Sequence, residues 1–165
     1  MGFVRKRYEP LEVLNRGFGG AQISHVIYHF EEIIKPYNPK AIVFFCGTND
    51  LTALKTPEET VHDFKKFYSL IRNQFGNIKV YMIGIKPSVE RFYLDEEEKI
   101  FNNSIKLLAS QDAYLEYIDV WDSMLNEDGS RMPELYIEDG LHMNKKGYEV
   151  WTKLVRKSLL KDFNI

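Results

Sequence analysis

The chain has 165 residues, 44% of them hydrophobic and 28% charged, which suits one globular domain with a core of its own. A net charge of −2 gives no electrostatic reason to expect nucleic acid or an anionic membrane as partner, and a single cysteine, Cys46, excludes an internal disulfide and a cysteine-built zinc site. No apolar run approaches the length of a membrane span and the basic start "MGFVRKRYEPLEVL" lacks the apolar core of a signal peptide, so a cytoplasmic protein is expected if Met1 is the true start.

In chain order, "LEVLN" (11–15) reads as a short strand. "AQISHVIYHFEEIIKPY" carries Ile23, Val26, Ile27, Phe30, Ile33 and Ile34 at helical spacing, and Pro36 ends it. "AIVFFCG" (41–47) is apolar on both faces, as an inner parallel strand should be, and Cys46 within it is expected to be inert packing. The next helix opens with Thr56 as N-cap, Pro57 at the first helical position and Glu59 closing a capping box. "KVYMIGI" (79–85) is a strand, a helix starts at about Asp95, "YLEYIDV" (114–120) is the last strand, and 121–143 is rich in loops with "EDGS" as a turn. Asn144 caps a final helix. This alternation predicts a three-layer α/β/α domain, flavodoxin-like, with a mostly parallel sheet, spanning 1–165 as one unit. Function in such sheets gathers in the loops after the strand C-termini.

Three loops carry residues suited to chemistry. In "NRGFGGAQ" (15–22), glycines allow close backbone approach, and N–H groups there can bind an anion or a developing oxyanion; a tight strand-to-helix turn needs the same glycines. In "CGTNDL" (46–51), Asn49 can donate its side-chain N–H to an oxyanion and Asp50 can orient the loop, although Gly, Asn and Asp are also ordinary turn residues. In "DGLH", Asp139 can fix the tautomer of His142 and leave its other nitrogen as a general base; a surface loop ending in a helix cap is the plainer reading. His25, His29 and His62 fall within helices. His25 and His29 are one turn apart, but no third metal ligand is evident nearby.

Taken together and in order, "NRGFGG", "GTND" and "DGLH" resemble the SGNH (GDSL-type) serine hydrolases over residues 13–155. The resemblance implies oxyanion donors at Gly20 (backbone) and Asn49 (side chain), His142 as base and Asp139 as its orienting acid. It implies ester hydrolysis of a small-molecule substrate with no cofactor and no metal. Lys86 and Ser88, in "IGIKPS" at the end of a strand, are expected to line the acyl or alcohol site.

The family's nucleophilic serine lies on a first strand ahead of the glycine block. Here no serine precedes Ser24, which falls inside a predicted helix, and "DGS" at 128–130 reads as a turn. The first central strand is therefore expected to be missing and the chain to be N-terminally truncated and inactive by itself. Without that strand, 11–15 and 41–46 must pair directly or face a gap, and an exposed edge would favour self-association. The second reading is a non-catalytic relative that keeps the pocket for a small ligand.

Overall fold

The computed structural model describes residues 8–163; the first seven residues of the basic start lie outside them. The described residues fall into two compact units, one of Phe18–Ile85 with Tyr93–Tyr117, the other of Lys86–Phe92 with Ile118 onward and the segment before Phe18.

The first unit is built on a three-stranded sheet in the order β1-β2-β3, with β1 at Ala41–Phe44, β2 at Lys79–Ile83 and β3 at Leu115–Ile118. β1 and β2 pair in parallel, Ala41 opposite Lys79 and Phe44 opposite Met82. The parallel α/β architecture expected from the alternating pattern is present.

Helices α1 (Ile23–Tyr28) and α2 (Phe30–Ile33) stand where the apolar spacing predicts one helix. The break falls at His29, whose ψ of 8° lies off the helical value. Gln22 caps α1, and its N–H donates to Nδ1 of His25 at 3.3 Å, which gives that histidine a local structural role. A short helix α3 (Thr48–Thr52) follows β1, and α4 (Pro57–Phe75) opens with the expected capping box. Glu59 N–H donates to Thr56 Oγ1 at 3.2 Å and Thr56 N–H to Glu59 Oε2 at 2.9 Å. Helix α5 (Asp95–Ser110) places four acidic residues in its first turn, where the helix dipole favours them.

The core of this unit is aromatic and aliphatic. Phe44 stacks on Phe67 at 4.2 Å between centroids, and Phe64, Phe67, Ile71, Phe101 and Ile105 are fully buried. The amphipathic spacing in α4 and α5 thus puts one stripe of each helix into the core.

Residues 11–15 form no strand, which corrects the sequence expectation. A strand exists only where a neighbouring ladder accepts its backbone groups, and the described sheet offers this segment none. Direct pairing of 11–15 with 41–46 is likewise not formed; β1 is the edge of the described sheet. Its sequence is that of an inner strand, yet Val43 is 43% exposed and Phe45 beyond it 37%.

The second unit centres on α6 (Lys145–Phe163), which buries Trp151, Val155 and Leu159. Trp151 Nε1 reaches Met124 Sδ at 3.3 Å. A Leu125–Arg131 bridge closes the predicted "EDGS" turn, and a Tyr136–Met143 bridge closes the loop that precedes α6.

Truncating Phe67 to Ala should cost about 3–5 kcal/mol, the usual range for a large-to-small change in a packed core. Ile100→Ala, on the exposed side of α5, should stay within about 0.5 kcal/mol. Urea unfolding of the two variants checks this, and comparable losses would contradict the burial assigned to the two faces.

Candidate functional site

Gly20, Asn49 and Asp50 belong to the first unit, and Lys86, Ser88, Asp139 and His142 to the second. Within the first, the glycine and asparagine blocks are tied together. Gly20 has φ of 68°, a conformation that side-chain-bearing residues rarely adopt. The next carbonyl, Ala21 O, accepts from Asn49 Nδ2 at 3.1 Å and from Cys46 Sγ at 3.4 Å. The bond to Ala21 sets the plane of the Asn49 carboxamide. Gly47, which leads into α3, has φ of 126°, and a Cβ there would meet Ile85 Cδ1 and Phe101 Cζ at 3.2 Å. Burial, with a smaller push from the charge of Asp50, raises the Cys46 thiol to about 12, so it stays protonated and inert as expected.

Asp50 is fully buried. It accepts the N–H of Ile23 at the start of α1 (3.1 Å to Oδ2) and Lys55 Nζ at 2.7 Å. Lys55 also donates to Asp63 Oδ2 at 3.0 Å and to Ser24 Oγ at 3.3 Å. Burial works to lower the Lys55 pKa, but its bonds to Asp50 and Asp63 more than reverse this, and the net shift is upward. Burial works to raise Asp63, but its bonds to Lys55 and Lys66 outweigh this and hold it below its ordinary value. This cluster fixes the α1 start to the asparagine block. Sequence reasoning misses Lys55, because nothing in the local pattern distinguishes it from a solvated lysine.

In the second unit Asp139 and His142 form a hydrogen-bonded pair. His142 Nδ1 lies 2.6 Å from Asp139 Oδ2, while Asp139 Oδ1 accepts the N–H groups of Leu141 and His142, each at 2.8 Å. Both side chains are exposed, His142 at 71%. With Nδ1 donating to the carboxylate, the imidazole has its basic lone pair on Nε2. Gly140, between them in sequence, has φ of 63° and sits so close to Val89 that a Cβ would come within 3.1 Å of the valine Cβ. Asn144 Oδ1 accepts Lys146 N–H at 2.9 Å, the expected cap of α6, and its Nδ2 donates to the carbonyls of Glu134 and Tyr136.

Lys86 and Ser88 are 7% and 2% exposed. Lys86 Nζ donates to Leu141 O at 2.7 Å, and the Ser88 carbonyl accepts Arg131 Nε at 2.8 Å. These bonds run to the protein's own loops. Ser24, in α1, is engaged by Lys55. Among the described residues, no group of three or more His, Cys, Asp or Glu is placed to hold a metal.

Lys55→Met should cost about 3–5 kcal/mol, since it strands a buried carboxylate, and Asp50→Asn combined with Lys55→Met should recover most of it. A single-variant loss below about 1 kcal/mol in urea unfolding would reduce the cluster to the worth of an exposed pair. The bond from His142, then the His142 and Leu141 N–H groups, lower Asp139 to about 2. An unfolded aspartate titrates near ~3.9. The pair therefore adds to stability above about pH 4, and its contribution fades as pH falls toward ~2. The Asp139 carboxyl carbon should inflect near the lower value in an NMR titration, and inflection near the unfolded value would contradict the geometry.

Comparison with known proteins supplies the family. A model described as the GDSL-like Lipase/Acylhydrolase family matches residues 3–150. The N-acylneuraminate cytidylyltransferase of Escherichia coli O18:K1:H7 is 28% identical over 149 residues, covering 88% of this chain and 34% of that protein. Platelet-activating factor acetylhydrolase IB subunit alpha1 of Bos taurus is 24% identical over 160 residues, covering 95% of this chain and 67% of that one. The chain thus spans about a third of the first relative and two thirds of the second. A solved protein of Streptococcus pneumonia superposes with a TM-score of 0.81 at 22% identity, covering 92% of this chain and 74% of its own, a likeness of fold. Sheet, ordered motifs and family match agree, and the chain belongs to the GDSL-like lipase/acylhydrolase family.

Proposed function

We propose that the chain carries the acid, base and oxyanion donors of an ester hydrolase that works through a serine acyl-enzyme. The observation that carries the reading is the 2.6 Å bond between His142 Nδ1 and Asp139 Oδ2 on an exposed ring. In this mechanism His142 Nε2 takes the proton of a serine hydroxyl as its oxygen attacks the ester carbonyl. The Gly20 N–H and the Asn49 side chain hold the tetrahedral oxyanion. The leaving alcohol takes the proton back from His142, and water then repeats the sequence to release the acid.

In this reading the attacking serine comes from a segment outside residues 1–165. The serines nearest the motifs are otherwise placed. Ser24 is in α1 and bonded to Lys55, Ser88 is buried, and Ser130 lies in the 126–130 turn. The inner-type run of β1, lying at the edge of the described sheet, fits a missing neighbour there. By itself the chain should be inactive. The substrate class is a short acyl ester, acetyl foremost, of a small polar alcohol. The polar, aromatic stretch "RFYLDEEE" (91–98) and the acetylhydrolase relatives support that choice.

A second reading, a non-catalytic relative that binds a small ligand, is favoured by the same lack of a serine ahead of the glycine block. Hydrolysis of p-nitrophenyl acetate separates the two. The protein taken from its own cells should lose about 10⁶-fold in kcat on His142→Ala, the scale set by removing the triad base. The 165-residue chain should be no faster than its own His142→Ala variant. Equal rates for the cellular protein and its variant would remove the hydrolase reading.

A further inference from the structure

The pair Asp139–His142 is exposed, so side-chain packing cannot hold it; its order has to come from the backbone of its loop. That loop is bonded to the segment after β2 at several points. Gly140 O accepts the N–H groups of Val89 at 2.9 Å and Glu90 at 3.1 Å. Tyr136 Oη donates to Pro87 O at 2.5 Å, and Lys86 Nζ donates to Leu141 O at 2.7 Å. The same ammonium lies 5.3 Å from the centroid of the Tyr136 ring. Burying a lysine to 7% exposure is costly unless its charge is well met, so this placement calls for a reason.

The Leu141 carbonyl and the His142 N–H are two ends of one peptide group. Lys86 bonds the oxygen end and Asp139 Oδ1 the nitrogen end, at 2.7 and 2.8 Å. A cation on the carbonyl draws electron density from the amide and makes its N–H a stronger donor, and the carboxylate on the N–H makes the carbonyl a stronger acceptor. Each charge therefore strengthens the bond made by the other.

We infer that Lys86 is a positioning residue for the Asp139–His142 pair, acting through the single peptide group between Leu141 and His142. It pins the carboxylate that orients the imidazole without touching either side chain. In this role Lys86 acts one peptide removed from the acid–base pair. The inference rests on the proposed acid–base reading only for what the hold is for. No ester chemistry enters its test, so the two can fail separately.

The test is NMR on the uniformly ¹³C,¹⁵N-labelled chain and on Lys86→Met. The Leu141 carbonyl carbon should move upfield, and the His142 amide should exchange about tenfold faster, equivalent to one charge-assisted hydrogen bond lost. A merely structural lysine would move the Leu141 carbonyl carbon it bonds and lower the melting temperature, but leave the His142 amide exchange rate unchanged; that result in a folded variant overturns the inference. Should Lys86→Met not fold, Asp139→Asn probes the same peptide from its exposed end. Loss of the carboxylate charge must then shift both the Leu141 carbonyl carbon and Lys86 Nζ, and silence at both overturns it.

Discussion

The bond between His142 Nδ1 and Asp139 Oδ2 sets the demands on everything around it. On the proposed reading His142 is a base and must stay accessible, and an accessible ring cannot be fixed by packing against a core. The loop solves this with backbone. Gly140 adopts a positive φ that lets Asp139 accept two successive N–H groups, and its carbonyl is held by Val89 and Glu90. Asn144 then closes the loop from the other side, capping α6 while its amide holds the carbonyls of Glu134 and Tyr136. Hydrogen bonds thus hold the peptide groups beneath the two exposed side chains.

The glycine and asparagine blocks meet a different demand. As the proposed oxyanion donors, Gly20 and Asn49 have to be in place before charge develops, so their geometry must not relax when the reaction begins. Here the fixing element is a buried carboxylate met by a partly buried lysine. Asp50 ties the start of α1 to the asparagine block, and Lys55 compensates that carboxylate directly while also bonding Asp63 and Ser24. A buried pair of this sort adds little net stability over an apolar core, but breaking it on one side is costly, which makes it effective at specifying one arrangement.

Much of this is legible in sequence because it depends on local pattern. The Thr56 capping box, the Asn144 cap, the inner-strand run at β1 and the Asp-x-x-His spacing all translate directly into short-range geometry. What sequence misses is of another kind. Residues 11–15 have strand-like letters, yet a strand needs a partner, and partners are a property of the sheet. Helical spacing from Ile23 to Ile34 does not foretell the break at His29, where periodicity is kept across a backbone that leaves the helix. Lys55 is invisible as scaffold because a lysine is read by default as solvated, and only tertiary placement shows its ammonium on the buried Asp50.

Whether His142 activates a serine decides the mechanism. A fluorophosphonate reacts only with an activated hydroxyl and leaves a covalent mark that peptide mapping can locate. Applied to the protein from its own cells, it should label one serine outside residues 1–165, and His142→Ala should abolish the label. No labelled serine, or labelling that persists in the variant, would contradict serine activation by His142 and leave Asp139 and His142 as the framework of a binding site.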